Sequence, residues 1–182
     1  MQYMQLDNID IIKMENSYKQ KDIHTISFLV ANKPGVLVRV ALVFARRGYN
    51  IDSLVVSPSS NPRFSRMTIT AKGDPDTLEQ IIKQANKLID VIHVSEHTGI
   101  DAIHRELALY KVKLTPTNKA ILTKLIKKFQ AHAVEENNDY LIIQQTAITS
   151  KLDEFEAILK KYGIIEMIRS GKLVMAKGKE AT

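Results

Sequence analysis

The order of secondary-structure patterns repeats once along the chain, and this repeat constrains the fold more than any other feature. In the first half, strand-like alternation and helix-like apolar spacing follow one another in the order β-α-β-β-α-β. The same order is predicted again after Gly99. A chain of 182 residues has room for two compact domains of roughly 80 residues each. The repeat therefore predicts two domains with the same architecture.

Apolar spacing locates the elements of the first half. Ile26, Phe28 and Val30 alternate along a half-buried strand, and Asp74-Pro75 combines an N-cap residue with a proline suited to the first helical turn. The predicted elements are a strand at 24–31, a helix at 36–47, strands at 50–57 and 66–71, a helix starting at 75 and a strand at 91–96.

The second half gives the same order with weaker signals. Thr115-Pro116 predicts a cap and first-turn pair, and Ser150 with Asp153 predicts a capping-box-like helix start. The strands are predicted at about 106–114, 131–135, 140–146 and 164–168, with a small additional strand at 173–175.

The fold class that follows is α+β, with two ferredoxin-like βαββαβ units, each an antiparallel sheet with two helices on one face. We expect an N-terminal extension at 1–22, a first domain at 23–98 and a second at 99–182. Such units leave edge strands exposed, so dimerisation through strands or helices is expected.

Composition excludes several classes of protein. The chain has no cysteine, which excludes disulfide scaffolds, thiolate metal sites and cysteine nucleophiles. No apolar run approaches the roughly 20 residues that cross a bilayer, and the first 21 residues lack the features of a secretory signal. The net charge is +6, but the basic pairs Arg46-Arg47, Lys127-Lys128 and Lys160-Lys161 fall near predicted helix C-termini. We therefore expect neither a nucleic-acid nor a membrane partner.

Catalytic motifs are absent from the sequence. It contains no Gly-x-Ser-x-Gly elbow, no Gly-x-Gly-x-x-Gly and no Walker-type loop. His93 and His97 could share one face of a strand end, but two imidazoles without a third ligand favour surface or interface histidines over a metal site.

The first β-to-α junction, residues 32–37, is the most informative candidate for a binding site. A helix start offers unpaired N–H groups to a carboxylate, and Gly35 lets a ligand backbone come close. Asn32 offers an amide that could hold the ammonium group of the same ligand. The alternative is that Pro34-Gly35 is an ordinary turn, and that Asn50 after the helix is an ordinary cap.

A family resemblance is carried by several motifs together. In the first half they are Asn-x-x-Gly-x-Leu-x-Arg-Val, Arg-Arg-Gly-Tyr-Asn-Ile-x-Ser-Leu, Ser-Arg-Met-Thr-Ile and Gln-x-x-Lys-Leu-Ile-Asp-Val. In the second half they are Arg105-Glu106-Leu107, Ser150-Lys151-Leu152-Asp153 and Ile168-Arg169-Ser170-Gly171. The chain outside residues 1–22 closely resembles the small regulatory subunit of acetohydroxyacid (acetolactate) synthase, with an N-terminal ACT domain and a C-terminal ACT-like domain.

The resemblance implies a non-catalytic partner of a large subunit that uses thiamine diphosphate, Mg²⁺ and FAD, with no cofactor in this chain. It implies that the small subunit activates the large one in branched-chain amino acid synthesis and confers feedback inhibition, usually by valine. The alternatives are a freestanding ACT-type amino-acid sensor acting on a different enzyme or regulator, and an unrecognised enzyme of the same fold. A cytoplasmic location is expected, and the plastid stroma is the alternative.

The resemblance also implies where the effector binds, at the seam of a homodimer formed through ACT domains. One protomer would supply the first loop and its partner the second strand; the implied residues are Asn32, Gly35, Val36 and Leu37, with Asn50, Ile51 and Ser57 from the partner. The second half has no Asn-x-x-Gly at the equivalent loop, residues 114–119, so the effector is expected in the first half alone.

Overall fold

A computed structural model describes residues 23–99, 101–179 and 182. Contacts divide the chain into two units, with a division between Asp101 and Ala102 and with Thr182 assigned to the first unit. The expected extension at 1–22 lies outside the described residues. None of the helices in the described part of the chain is long and apolar enough to span a bilayer.

The first unit is a four-stranded antiparallel sheet with two helices. Its elements are β1 (Ile23–Ala31), α1 (Val36–Ala45), β2 (Ile51–Pro58), β3 (Phe64–Lys72), α2 (Pro75–Ala85) and β4 (Val91–Glu96). The strand order is β2-β3-β1-β4, so β2 and β4 form the two edges. Ile26, Phe28 and Val30 of β1 form one core with the buried residues of both helices. The helices therefore cover the same face of the sheet.

The second unit repeats this arrangement and adds one strand. Its elements are β5 (Ala102–Lys113), α3 (Lys119–Lys128), β6 (His132–Glu136), β7 (Tyr140–Ala147), α4 (Thr149–Leu159), a 3₁₀ turn (Lys160–Tyr162), β8 (Ile164–Arg169) and β9 (Leu173–Ala176). The order is β6-β7-β5-β8, and β9 pairs with the start of β5. Tyr110 meets Phe155 edge-on at 5.4 Å, and Phe129 stacks on Phe155 at 4.7 Å. The predicted fold class is confirmed in both units.

Two predicted helix starts in the second unit are wrong. Helix α3 begins at Lys119, because Thr115 caps a separate turn: the N–H of Asn118 donates to its hydroxyl at 3.3 Å. Ser150 makes no capping bond, since α4 begins at Thr149 and Ile148 is the cap residue. Asp153 instead accepts a hydrogen bond from Arg169 at 2.6 Å, so a tertiary contact replaces the predicted capping box.

Candidate functional site

The loop between β1 and α1 is held in place at Asn32. The Asn32 backbone N–H donates to the carbonyl of Arg63 at 2.7 Å, and its side-chain Nδ2 donates to the carbonyl of Pro62 at 3.0 Å. Both acceptors belong to the turn between β2 and β3. The second bond fixes the orientation of the side-chain amide of this exposed residue, and its Oδ1 accepts no hydrogen bond within the described residues.

Gly35 gives the loop its shape. Its φ is +83°, in the left-handed region that favours glycine, and it occupies the cap position of α1 without a side chain to cap the helix. Within the described residues, the N–H groups of Gly35, Leu37 and Val38 have no hydrogen-bond acceptor. The N–H of Val36 donates to the carbonyl of Lys33 at a long 3.4 Å. The positive end of α1 is therefore open to an anion.

Arg39 lies beside this loop, and the interpretation of the sequence missed it as part of the site. Its Nη2 is 2.6 Å and its Nε 2.9 Å from Oδ2 of Asp90, so the ion pair joins α1 to the start of β4. Its Nη1 would be 3.2 Å from a Cβ added at Gly35. Arg39 and Asp90 both belong to the motifs that carry the resemblance. Their opposite charges were the signal in the sequence from which this ion pair could have been predicted.

A surface cavity of about 560 Å³ opens beside the same loop. It is lined by Ala31, Asn32, Lys33, Arg63, Phe64, Ile89, Asp90 and Ile92. Gly35, Val36 and Leu37 are not part of its lining. The side chain of Val36 is buried in the core with 2% exposure, so that a ligand can reach only its backbone, whereas Leu37 is 39% exposed.

The second group of predicted site residues lies on the edge strand β2. Asn50 and Ser57 are exposed at its two ends, and Ile51 packs against the core beside a bulge at 51–53. No hydrogen bond joins these residues to the β1–α1 loop within the described chain. The structure thus places the two predicted groups on separate parts of one unit.

The equivalent loop of the second unit is closed. Asn118 accepts a hydrogen bond from the N–H of Thr115 at 2.9 Å through Oδ1 and donates to the carbonyl of Lys113 at 3.0 Å through Nδ2. The N–H of Lys119 donates to the carbonyl of Thr115. The side-chain oxygen of Asn32 accepts no hydrogen bond within the described residues, whereas that of Asn118 accepts one from its own loop.

The three motifs of the second unit meet in one ion-pair network. Arg169 donates to both carboxylate oxygens of Glu106 at 2.9 Å and to Asp153 at 2.6 Å. Burial alone would lower the pKa of Arg169, but its hydrogen bonds to the two carboxylates raise it above the usual value. Glu106 is only 6% exposed, so its pair with Arg169 is the buried part of the network.

Together, the two βαββαβ units and the open loop of the first define a protein of the ACT-domain class. The model of the ACT domain of acetohydroxyacid synthase small subunits matches residues 26–93, and that of the small subunit of acetolactate synthase matches residues 105–178.

Individual relatives agree with the two models. A probable acetolactate synthase small subunit of Archaeoglobus fulgidus is 44% identical over 85% of this chain and 97% of its own length. The acetolactate synthase small subunit of Mycolicibacterium smegmatis is 41% identical over 85% of this chain and 91% of its own. The crystal structure of the Thermotoga maritima small subunit is 37% identical, covers 87% of this chain and 99% of that one, and has a TM-score of 0.79. The chain belongs to the acetolactate synthase small-subunit family.

Proposed function

We propose that this chain is a regulatory subunit that activates the catalytic large subunit of acetolactate synthase and makes it sensitive to inhibition by valine. The observation that carries the proposal is the open amino end of α1 beside Asn32, in a chain whose relatives are named small subunits of that enzyme. Thiamine diphosphate, Mg²⁺ and FAD belong to the large subunit in this proposal, and this chain holds none of them.

The loop fits both charged groups of an amino acid. The carboxylate accepts hydrogen bonds from the N–H groups of Gly35, Leu37 and Val38, where the helix dipole favours negative charge. The ammonium group donates to Oδ1 of Asn32, which accepts no hydrogen bond within the described residues. Asn50, Ile51 and Ser57 of the partner subunit close the site over the apolar side chain.

A homodimer through the first unit is supported by two features on the described chain. Strand β2 is an edge strand, with hydrogen-bond partners on one side. Helix α1 is apolar on its outer side as well, where Leu37, Val38 and Leu42 are 39%, 61% and 44% exposed. A helix that is hydrophobic all round is normally covered on both sides. The second copy supplies that cover in this proposal.

Variants of the loop separate regulation from activation, because effector and large subunit bind at two coupled sites. We expect Asn32→Ala and Gly35→Asp to keep the stimulation of the large subunit and to lose valine inhibition, with at least a tenfold increase in the half-inhibitory valine concentration. The measurement is acetolactate formation by the reconstituted enzyme across a valine titration.

Gly163→Asp is the matched control for Gly35→Asp. Gly163 also has a positive φ, +84°, but lies in the second unit before β8. The substitution imposes the same kind of backbone strain without touching the loop, so valine inhibition should survive it. Loss of stimulation and inhibition together in the Asn32 and Gly35 variants would make the loop a folding element or a subunit contact. A wild-type chain that neither binds nor stimulates the large subunit would refute the proposed function itself.

The dimer has its own test on α1. Leu42→Glu places a charge on the outer face of the helix and should raise the dimer dissociation constant at least tenfold in sedimentation equilibrium. Ile121→Glu on α3 is the control, since Ile121 is exposed to nearly the same extent, 43% against 44%. Equal dissociation constants for the two variants would remove α1 from the interface.

A further inference from the structure

The second unit contains a cavity that the proposed effector site does not use. Its volume is about 310 Å³, and it lies between the end of α3, the end of β7 and the first turns of α4. It is lined by Lys128, Phe129, Gln130, Gln145, Thr146, Ala147, Lys151 and Glu154. Its walls combine an aromatic ring and an alanine with amide and charged groups.

Gln145 is an unusual residue for this position. It follows Leu141 and Ile143 on the core-facing side of β7 and is only 2% exposed. Its Nε2 donates to the carbonyl of Phe129 at 3.0 Å, which fixes the orientation of the amide. Its Oε1 is buried and has no hydrogen-bond partner. A buried acceptor without a donor is destabilising, so a donor from outside the chain would be bound favourably here.

The two helix ends near the cavity carry partial charges of opposite sign. Helix α3 ends at Lys128, with Phe129 as its cap residue, and helix α4 begins at Thr149. Within the described residues, the N–H groups of Thr149 and Ser150 donate no hydrogen bond, but neither residue lines the cavity, so this helix end acts on a ligand there through its dipole alone. A helix amino end attracts an anion and a helix carboxyl end attracts a cation.

Of the two lysines in the cavity lining, Lys128 is the one available to bind an anion. Lys128 has no carboxylate within ion-pair distance in the described part of the chain, and its Nζ lies 5.5 Å from the centre of the Phe129 ring. Lys151 pairs with Glu154 at 2.7 Å in the first turns of α4. Lys128 is therefore a cation available to a carboxylate, while the acceptor of Gln145 is available to an ammonium group.

We infer that this cavity is a second small-molecule site, specific for a compact zwitterion of the α-amino acid class. The ammonium group donates to Oε1 of Gln145, and the carboxylate meets the Nζ of Lys128. The ligand's side chain contacts Phe129 and Ala147. This site is separate from the β1–α1 loop and does not depend on the proposed function.

Titration of the ¹⁵N-labelled full-length chain followed by NMR tests this inference. The probes are glycine, L-valine and L-glutamine, with 3-methylbutanoate and isobutylamine as molecules that carry only one of the two charged groups. We expect at least one amino acid to shift the amide signals of Thr146, Ala147 and Lys151 saturably. The two half-molecules should bind at least tenfold more weakly.

Gln145→Leu should abolish these shifts, because it removes the acceptor at nearly constant volume. Gln144→Leu is the matched control, since Gln144 is the adjacent glutamine on the other face of β7 and does not line the cavity. Lys128→Gln, an exposed substitution that leaves the core intact, should weaken binding at least threefold. The inference is overturned if no amino acid shifts these signals up to about 20 mM, which would leave the cavity to water. It is also overturned if Gln145→Leu and Gln144→Leu bind the amino acid equally.

Discussion

At the scale of single residues, Gly73 is constrained by a tyrosine from another element. A Cβ added at Gly73 would lie 2.0 Å from Cζ and 2.2 Å from the hydroxyl oxygen of Tyr49. That hydroxyl donates a hydrogen bond to the carbonyl of Asp74. The pKa of Tyr49 is raised, mainly because the ring is partly buried and also because the negative charge of Asp74 is close. The glycine is therefore required by the packing of Tyr49 over the start of α2.

Gly73→Ala should destabilise the first unit by about 1–3 kcal/mol, as overpacking does elsewhere. The ring has to move and loses its bond to Asp74. Gly99→Ala is the control, because nothing lies within 4 Å of an added Cβ at Gly99. Urea unfolding of the two variants measures the difference. In a Tyr49→Ala background the loss at Gly73 should shrink to the level of the control, and an unchanged loss would show that Tyr49 is not its cause.

The same region separates what can be predicted from sequence from what cannot. Asp74 was predicted as the cap of α2, and the structure confirms it: its carboxylate accepts a hydrogen bond from the N–H of Thr77 at 2.7 Å. That bond from the backbone of Thr77, followed by a hydrogen bond from the Thr77 side chain, lowers the pKa of Asp74 below its usual value. The capping bond joins residues only three positions apart, so it can be predicted from the local sequence. The contact of Tyr49 with Gly73 joins distant parts of the chain and has no local signature.

At the scale of secondary-structure elements, one of the two predicted helix starts that failed is affected by a tertiary contact, and the other by a local turn at Thr115. Ser150 and Asp153 have the spacing of a capping box, but Asp153 is drawn to Arg169 on β8. In the first unit, the apolar periodicity of α1 and the alternation of β1 were sufficient to predict these two elements, because the same apolar residues form the core. The open amides of the candidate site were inferred from the motif, whereas the ion pair of Arg39 with Asp90 appears only once α1 and β4 are adjacent.

The network of Glu106, Arg169 and Asp153 connects three elements, β5, β8 and α4. Arg169→Met should cost the second unit about 3–5 kcal/mol, because it leaves the buried carboxylate of Glu106 without its partner. Asp153→Asn should cost far less, since the Asp153 side chain is 57% exposed. Thermal unfolding of both variants measures the contrast. The double variant Glu106→Leu with Arg169→Met should recover most of the loss, and a double variant as unstable as Arg169→Met alone would contradict this account.

At the scale of the whole molecule, the two units have separate hydrophobic cores. The first contains Phe28 and Phe44 and the second Tyr110 and Phe155, and no residue belongs to both. Each βαββαβ unit also completes its own sheet. Each unit is small enough to bury only about 60% of its unfolded surface, which makes a single unit marginally stable. Independent folding with reduced stability is the physical expectation for either half.

A fragment comprising residues 1–101 should therefore fold, self-associate and bind valine with an affinity within about threefold of the full chain. It retains α1, the edge strand β2 and the open loop, which are the parts that the proposed effector site requires. Circular dichroism, sedimentation and calorimetric titration with valine provide the three measurements. Asn32→Ala in the same fragment is the control and should fold without binding. A folded wild-type fragment that binds no valine would show that the second unit is part of the effector site, in conflict with the closed loop at Asn118.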